Sequence, residues 1–282
     1  MPALKEFLVR WLGKLVPKGP SPADASVLPA LLADAYSVTS YLLYDYGTAA
    51  SLAAVAAANE APAPTRLAIV LDLDECLVHT QYAHVRYGAF VDAIDVALTP
   101  DITVKVHKRP GVDAFLAALA KEFDVYLFTS SEAGYANPIV DMLDPTRSIF
   151  RRRFFHNDCT HVRGLALKDL RRLLPYVNQS LAHIVLVDNN PMSFLPQPRN
   201  GVPLPSFVDD ANDTALPLVL DVLMTLRSVH DVRVCLDQVL HLEKALLPAT
   251  ATLYREVDGK LTLGREPGSC SSSGSSSPST PP

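Results

Sequence analysis

Residues 67–71 form an uninterrupted apolar segment that is followed at once by two aspartates, Asp72 and Asp74. An apolar run of this length predicts a buried strand, so both carboxylates fall where the strand gives way to a loop. In an open parallel α/β sheet, ligands bind at that end of the strand. Two close carboxylates repel each other unless a cation or a shared proton relieves them. The pattern indicates a divalent metal such as magnesium with a phosphate ligand, and two solvated loop acids are the alternative.

Two further apolar segments also end in polar residues. Thr129 follows the segment 124–128, and Asp188 and Asn189 follow a third apolar run, with Lys168 in between. Each feature alone has an ordinary explanation, such as a lysine at a helix start, a threonine that ends a strand, or an Asp-Asn turn. Their order along the chain nevertheless predicts one shared site, because parallel strands bring their carboxyl ends to the same edge.

The intervening segments indicate the fold class. Strand and helix signals alternate, which is typical of an α/β fold with a Rossmann-like central parallel sheet flanked by helices. Residues 111–121 and 135–143 predict helices on this sheet, with an apolar face in the first of them. Residues 90–106 predict a small β-hairpin insertion and leave no room for a large cap domain. Such an open site suits a phosphorylated protein side chain better than a small metabolite.

In their order, these motifs resemble the four motifs of the haloacid-dehalogenase superfamily of phosphotransferases. A narrower set resembles one branch of it, the RNA polymerase II CTD-phosphatase-like protein phosphatases, which include small CTD phosphatases and Dullard-type phosphatases. The resemblance covers roughly residues 67–239, and residues 147–153 and 213–216 look more like the Dullard type. The motifs that carry it are residues 72–75, 108–110, 128–129, 168–170 and 187–189.

The resemblance implies a magnesium-dependent phosphatase of phosphoserine or phosphothreonine in proteins. It implies that Asp72 attacks phosphorus to form an aspartyl-phosphate, and that Asp74 acts as general acid and then as general base. Magnesium is expected to bind the Asp72 carboxylate, the Asp74 backbone carbonyl and the Asn189 side chain. The remaining expected roles are phosphate binding by Thr129, Lys168 and Arg163, and positioning of Lys168 or a metal-bound water by Asp188.

Two residues depart from the usual pattern of this family. Cys76 stands where Thr or Val is usual, and because cysteine packs as a small hydrophobe, we expect little loss of activity. Asn190 stands where Ser commonly follows the Asp-Asn pair. Asparagine keeps hydrogen-bonding capacity but is bulkier, so the departure concerns the loop geometry rather than the chemistry.

The N-terminal residues carry a separate signal. Residues 3–18 predict a basic amphipathic helix, since apolar residues recur at helical spacing and the basic residues lie mostly opposite. Phe7 and Trp11 on the apolar face suit an interfacial membrane anchor. The alternatives are packing on the catalytic domain and a mitochondrial presequence, against which Glu6 counts. Residues 41–58 are apolar but fall short of a transmembrane span.

Composition and boundaries complete the prediction. We expect an N-terminal extension at 1–65, a catalytic domain at 66–247 and a C-terminal tail at 248–282 that is Ser/Pro-rich and disordered from about 264. The net charge of −5 argues against a nucleic-acid-binding surface. The arginines at 151–153 are either a solvated patch or an attraction for an acidic phosphosubstrate. The cysteines lack metal-site spacing, which favours reduced thiols and a cytosol-facing location.

Three hypotheses about the function follow from these patterns. The leading one is a phosphoprotein phosphatase, associated with the endoplasmic reticulum or nuclear envelope membrane as the Dullard type implies, together with a small membrane regulatory subunit. The main alternative is a non-catalytic binding module on the same fold, like the mitochondrial presequence-translocase receptor of this family, which the intact acidic residues and lysine disfavour. The third hypothesis is a soluble phosphatase acting in the nucleus.

Overall fold

The computed structural model describes residues 46–61, 66–81, 93–162, 165–177, 179–257 and 260–263. The α-helices among them are α1 (Tyr46–Ala58), α2 (Val112–Glu122), α3 (Ala133–Leu143), α4 (Ala215–Leu226), α5 (Val232–Leu240) and α6 (Leu242–Leu253). The strands are β1 (Ala68–Leu71), β2 (Val78–Gln81), β3 (Ile94–Thr99), β4 (Ile102–Lys108), β5 (Asp124–Phe128), β6 (Phe150–Phe154), β7 (Thr160–Val162), β8 (Leu165–Leu167), β9 (Ile184–Asp188), β10 (Gly201–Pro203), β11 (Tyr254–Val257) and β12 (Lys260–Leu263).

A five-stranded parallel sheet lies at the centre, in the order β10-β9-β1-β5-β6. The three apolar segments predicted as strands are its three middle strands, which confirms the predicted parallel α/β architecture. Side chains of β1 alternate between two apolar clusters: Ile69 and Leu71 belong to one, and Ala68 and Val70 belong to the other. The sheet is therefore buried on both faces, which explains why its strands read as continuous apolar runs.

Helices cover one face of this sheet. The predicted helix at 111–121 is α2, and its buried residues are the expected apolar stripe of Val112, Phe115, Leu116 and Leu119. The predicted helix at 135–143 is α3, which begins two residues earlier, at Ala133. The second face is covered chiefly by the β7–β8 hairpin and short 3-10 helices, with one contribution from α6. Both long apolar faces of the sheet thus meet other elements.

The insertion after β1 is a small antiparallel sheet in the order β2-β4-β3. Strands β3 and β4 confirm the hairpin that was predicted, and β2 adds a third strand at its edge. The first three residues of the predicted hairpin, 90–92, lie outside the described residues. Because β2 follows the Asp72–Asp74 loop directly, this small sheet stands beside the carboxyl edge of β1.

The segment before β1 packs on the domain. Leu52 and Ala56 of α1 are buried in the main apolar cluster, and α1 contacts α4 and α5. Residues 60 and 229 then form an isolated antiparallel bridge. Within the described ranges, we find no helix that is long and apolar enough to cross a membrane. The proposed helix at 3–18 and the tail from 264 lie outside the described residues, and the domain boundaries at 65 and 247 stay predictions.

Candidate active site

The carboxyl edge of the central sheet gathers three of the predicted site residues. Asp72 directly follows β1, Thr129 directly follows β5, and Asp188 ends β9. Because β1 is paired in register with both β5 and β9, Asp188 lies level with Asp72, and Thr129 lies one residue further along. The backbone N–H of Asp72 donates to the Val187 carbonyl at 3.1 Å, which continues the ladder by one residue. The strand pairing therefore positions the first aspartate.

A buried lysine joins two of the carboxylates. The Nζ atom of Lys168 lies 2.5 Å from Asp72 Oδ1 and 2.5 Å from Asp188 Oδ2. The lysine is 2% exposed, so bulk water screens these contacts little. The other oxygen of Asp188 accepts from the backbone N–H of Asn190 at 2.7 Å. Residues that are far apart in sequence thus form one buried group of charges.

The charges in this group balance only while Asp72 carries a proton. Burial, with a further contribution from the charge of Asp188, raises the pKa of Asp72 to about 8, although Lys168 opposes the shift. Burial alone would lower the pKa of Lys168, but the charges of Asp188 and Asp72 outweigh it and raise that pKa. The lysine therefore stays charged at neutral pH. The surplus of carboxylates over cations is what a bound metal ion would relieve.

Three oxygen atoms lie where such an ion would bind. The amide nitrogen of Asn189 donates to Ser206 Oγ at 2.9 Å. Its amide oxygen then lies 3.1 Å from Asp72 Oδ2 and 3.3 Å from the main-chain oxygen of Asp74. These oxygens repel each other unless the amide turns over, in which case its nitrogen donates to both. A cation among the three oxygens would remove the repulsion without turning the amide.

The donor set therefore fits magnesium. It consists of one carboxylate, one main-chain carbonyl and one amide oxygen, and hard oxygen ligands with room for water and phosphate are what this ion prefers. Among the described residues, no group of three or more His, Cys, Asp or Glu side chains could hold a metal. That finding is compatible with this set, because two of its three donors are of other types.

The carboxylate of Asp74 accepts hydrogen bonds from two hydroxyls. Ser131 Oγ donates to Asp74 Oδ2 at 2.6 Å, and Tyr135 Oη donates to Asp74 Oδ1 at 2.6 Å. Ser131 lies in the loop after β5, and Tyr135 lies in the first turn of α3. The main chain and the side chain of one residue thus serve two neighbouring parts of the site.

Thr129 and Arg163 complete the predicted set. Thr129 is 1% exposed, and its hydroxyl oxygen accepts from the backbone N–H of Ser131 at 3.0 Å. This contact fixes the turn that presents Ser131. Arg163 lies outside the described residues, so its predicted phosphate contact stays a prediction.

A second buried ion pair, between Arg109 and Asp213, stabilises the loop that follows β1. Arg109 binds Asp213 through two hydrogen bonds, from Nε at 2.8 Å and from Nη2 at 2.7 Å. Its Nη1 donates to the carbonyl of Cys76 at 3.1 Å. Asp213 also accepts from the backbone N–H of Ala215, where α4 begins. The pair therefore ties the loop after β1 to the start of α4.

The two departures from the family pattern have simple roles. Burial, with the charges of Asp72 and Asp188, raises the pKa of the Cys76 thiol well above its usual value, so the thiol is neutral and packs as an apolar group. Asn190 begins the 3-10 helix Pro191–Phe194, and its side chain accepts from the Met192 N–H at 3.1 Å. Serine would cap in the same way.

Sequence reasoning missed Ser131, Tyr135, Thr80 and Ser206. Tyr135 fell within a predicted helix, where periodicity marks a buried face but does not identify a hydroxyl that reaches another element. Thr80 lies on β2, and because β-branched side chains are common in strands, its residue type gives no signal of a functional role. The one available signal was the row of hydroxyls directly after the apolar segment 124–128.

Comparison with known proteins gives a family. The family model described as NLI interacting factor-like phosphatase matches residues 67–233, more than half of the chain. The match contains every predicted site residue. It begins one residue before β1 and ends in the first turn of α5.

Relatives of known name match the same region. A probable C-terminal domain small phosphatase of Dictyostelium discoideum is 40% identical over 170 residues, which are 60% of this chain and 54% of that protein. The human carboxy-terminal domain RNA polymerase II polypeptide A small phosphatase 2 is 37% identical over 61% of this chain and 62% of its own length. The chain thus spans between half and two thirds of the length of these two relatives.

Two further similarities are more distant or partial. The CTD nuclear envelope phosphatase 1 of Xenopus tropicalis is 35% identical over 62% of this chain and 73% of its own length. A solved structure of Fcp1, an essential RNA polymerase II CTD phosphatase, superposes with a TM-score of 0.41 at 21% identity, over 69% of this chain and 55% of that chain.

Proposed function

This chain belongs to the NLI interacting factor-like phosphatase family, and from that premise we propose that it is a magnesium-dependent phosphatase of phosphoserine or phosphothreonine in proteins. The observation that carries the proposal is the buried contact of Lys168 with Asp72 and Asp188 beside the three converging oxygens. A charged lysine, a carboxylate nucleophile and a cation site side by side are what transfer of a phosphoryl group to a carboxylate requires.

The two oxygens of Asp72 would have different tasks. Oδ2 belongs to the oxygen group with Asn189 and the Asp74 carbonyl, where magnesium would be held. Oδ1 touches Lys168 and would attack phosphorus. A bond forms between Oδ1 and phosphorus while the bond from phosphorus to the serine oxygen breaks, and Asp74 gives that oxygen a proton.

The second step returns the enzyme to its starting state. Asp74, now ionised, takes a proton from water as the water oxygen attacks the phosphorus of the aspartyl-phosphate. Inorganic phosphate leaves and the Asp72 carboxylate is restored. Lys168 and Thr129 would hold the equatorial phosphoryl oxygens in both steps, and Asp188 would keep the lysine in place. When bound, magnesium supplies positive charge that offsets the repulsion between the carboxylate and the phosphate.

We further propose a membrane-facing location at the endoplasmic reticulum or nuclear envelope. The support is the basic amphipathic pattern at 3–18 together with a relative named as a nuclear envelope phosphatase. A small membrane subunit as partner rests on the family resemblance alone. The full chain is expected to float with anionic liposomes, and a chain lacking residues 1–18 is not. Equal flotation of the two would contradict the anchor.

The catalytic proposal is tested on the full chain with a phosphoserine peptide and with para-nitrophenyl phosphate. Hydrolysis should require magnesium, stop in EDTA and vanish in Asp72→Asn. The matched control is Asp95→Asn, because Asp95 is an exposed aspartate paired with Lys105. Its activity should equal that of the wild type.

The covalent intermediate gives a second measurement. Acid-quenched wild type incubated with labelled substrate should carry phosphate that hydroxylamine releases, since an acyl phosphate reacts with that nucleophile. Asp72→Asn should carry none. A folded wild type that binds the phosphopeptide without hydrolysis or label would instead support the non-catalytic binding module.

A further inference from the structure

The carboxylate of Asp74 is held by two hydroxyls that the family motifs do not include. Ser131 Oγ and Tyr135 Oη each lie 2.6 Å from one of its oxygens. Tyr135 Oη also lies 2.7 Å from Thr80 Oγ1 on β2, and Thr80 is buried. Three elements, the loop after β5, α3 and β2, therefore converge on a single carboxylate.

The hydroxyls of Ser131 and Tyr135 fix the orientation of the Asp74 carboxylate. The backbone around Asp74 is fixed separately, by a bridge to Val78 and by a left-handed conformation at Glu75 (φ 60°). These contacts place the main-chain oxygen of Asp74 in the oxygen group but leave its side-chain torsions open. Short hydrogen bonds to both carboxylate oxygens select one orientation.

Hydroxyls suit a group that must change its protonation state. A hydroxyl can donate or accept, whereas lysine and arginine can only donate. A phenol has one proton, so when Tyr135 donates to ionised Asp74 its oxygen accepts from Thr80. When Asp74 carries the proton, either the Thr80–Tyr135 chain or the Ser131 hydroxyl can reverse its direction, and the other hydroxyl goes on donating to the second oxygen. The same contacts can therefore hold the acid and its conjugate base in one place.

We propose that Ser131 and Tyr135 are positioning residues that aim Asp74 at the leaving oxygen of the substrate. This inference rests on the proposed phosphatase function. It predicts a specificity consequence, because a poor leaving group needs the proton of Asp74 more than a good one does. An alkoxide such as that of serine leaves poorly, and a nitrophenolate leaves well. The two hydroxyls would thus matter chiefly for phosphoserine.

The test compares kcat/KM of the full chain for a series of esters, from a phosphoserine peptide through phenyl phosphate to para-nitrophenyl phosphate. In Ser131→Ala with Tyr135→Phe, we expect a loss of about 10–100-fold on the phosphopeptide and about threefold or less on para-nitrophenyl phosphate. Thr80→Val should lose less, since it removes only the outer hydroxyl. Tyr176→Phe, which removes a half-exposed phenol on another element, is the control.

A double-mutant cycle separates positioning from general damage. Asp74→Asn should lose activity with the same dependence on leaving group, and adding Tyr135→Phe to it should change nothing further. If Tyr135→Phe does not fold, Ser131→Ala alone serves, because Ser131 lies in a loop. An equal loss on every ester, or additive effects in the cycle, would overturn this inference alone. A folded wild type that is inactive on every ester would overturn the proposed function as well.

Discussion

Two buried groups of charges stand side by side at the loop after β1, and they differ in charge balance. Arg109 faces one carboxylate, Asp213, through two parallel hydrogen bonds. Lys168 faces two carboxylates, Asp72 and Asp188, at 2.5 Å each. The first group has one positive and one negative charge, and the second has a surplus of negative charge whenever both of its carboxylates are ionised.

This difference in charge balance indicates a structural role for the Arg109–Asp213 pair and a functional role for the Lys168 group. A bidentate, one-to-one pair is complete as it stands and can only hold the loop in place. A buried, unbalanced group costs stability: burial first, and then the charge of Asp188, raise the pKa of Asp72 to about 8, and this shift reflects the cost. Such a group makes sense when a ligand brings the missing positive charge. The comparison therefore predicts that the two groups respond oppositely to loss of an aspartate.

The largest effect is expected at the balanced pair. Asp213→Asn leaves Arg109 buried and without its counter-charge, which should lower the free energy of unfolding by about 3–5 kcal/mol. Urea unfolding measures it. Asp95→Asn, at an exposed pair, should cost about 1 kcal/mol or less. A small loss in Asp213→Asn would show that the pair is not needed for the fold.

The next effect in size is expected at Lys168, and it concerns catalytic activity rather than the free energy of unfolding. Lys168→Met removes the cation that would hold the phosphoryl oxygens, so kcat/KM should fall by about 100–1,000-fold. The control is Lys105→Met, at a lysine that is 56% exposed and paired with Asp95. A variant of Lys168 that keeps its activity would remove the lysine from the mechanism.

The smallest effect has the opposite sign. In EDTA at pH 5, Asp72→Asn should stabilise the chain by about 1–2 kcal/mol, because it removes a buried carboxyl whose ionisation is disfavoured and leaves Lys168 and Asp188 as a balanced pair. The pKa of Asp72 is raised from 3.8 to about 8, so its ionisation opposes folding. This penalty is absent below about pH 4, grows up to about pH 8 and is constant above.

Thermal unfolding of the wild type and of Asp72→Asn at pH 5, 7 and 9 measures that dependence. The gain in Asp72→Asn should increase with pH, and Asp95→Asn should show no comparable trend. A gain that is independent of pH, or a loss at pH 9, would contradict the surplus of negative charge. Added magnesium should reduce the gain, because it stabilises only the chain with the carboxylate.

The sequence predicted the main lines of the fold and the members of the charged group. Apolar runs gave the middle strands, and the residues after them gave Asp72, Thr129, Asp188 and Asn189, because parallel strands end together. It could not predict which atoms touch. The contact of Arg109 with Asp213 and that of Tyr135 with Asp74 join residues from different elements, and no local periodicity encodes such pairings.

The segment before β1 shows the same limit. Residues 41–58 are apolar but fall short of a transmembrane span, and the structure places a helix, α1, at Tyr46–Ala58, packed on α4 and α5. Low complexity and many alanines gave no amphipathic signal for this helix. Among residues 50–58 of this helix, Leu52 and Ala56 are buried; they are four apart, and a single such pair does not stand out in an alanine-rich run.

The position of β1 in the middle of the sheet has a consequence for how the chain is made. Its first residue, Ala68, pairs with Asp124 and with Ile184, both of which leave the ribosome long afterwards. A nascent chain that stops before β9 would expose one edge of β1 and its apolar side chains, a surface prone to aggregation. Such long-range pairing also slows folding. Because the chain is made from its N-terminus, the site at the carboxyl edge of the sheet is completed late. A chaperone that shields β1 during that interval should raise the yield of folded protein.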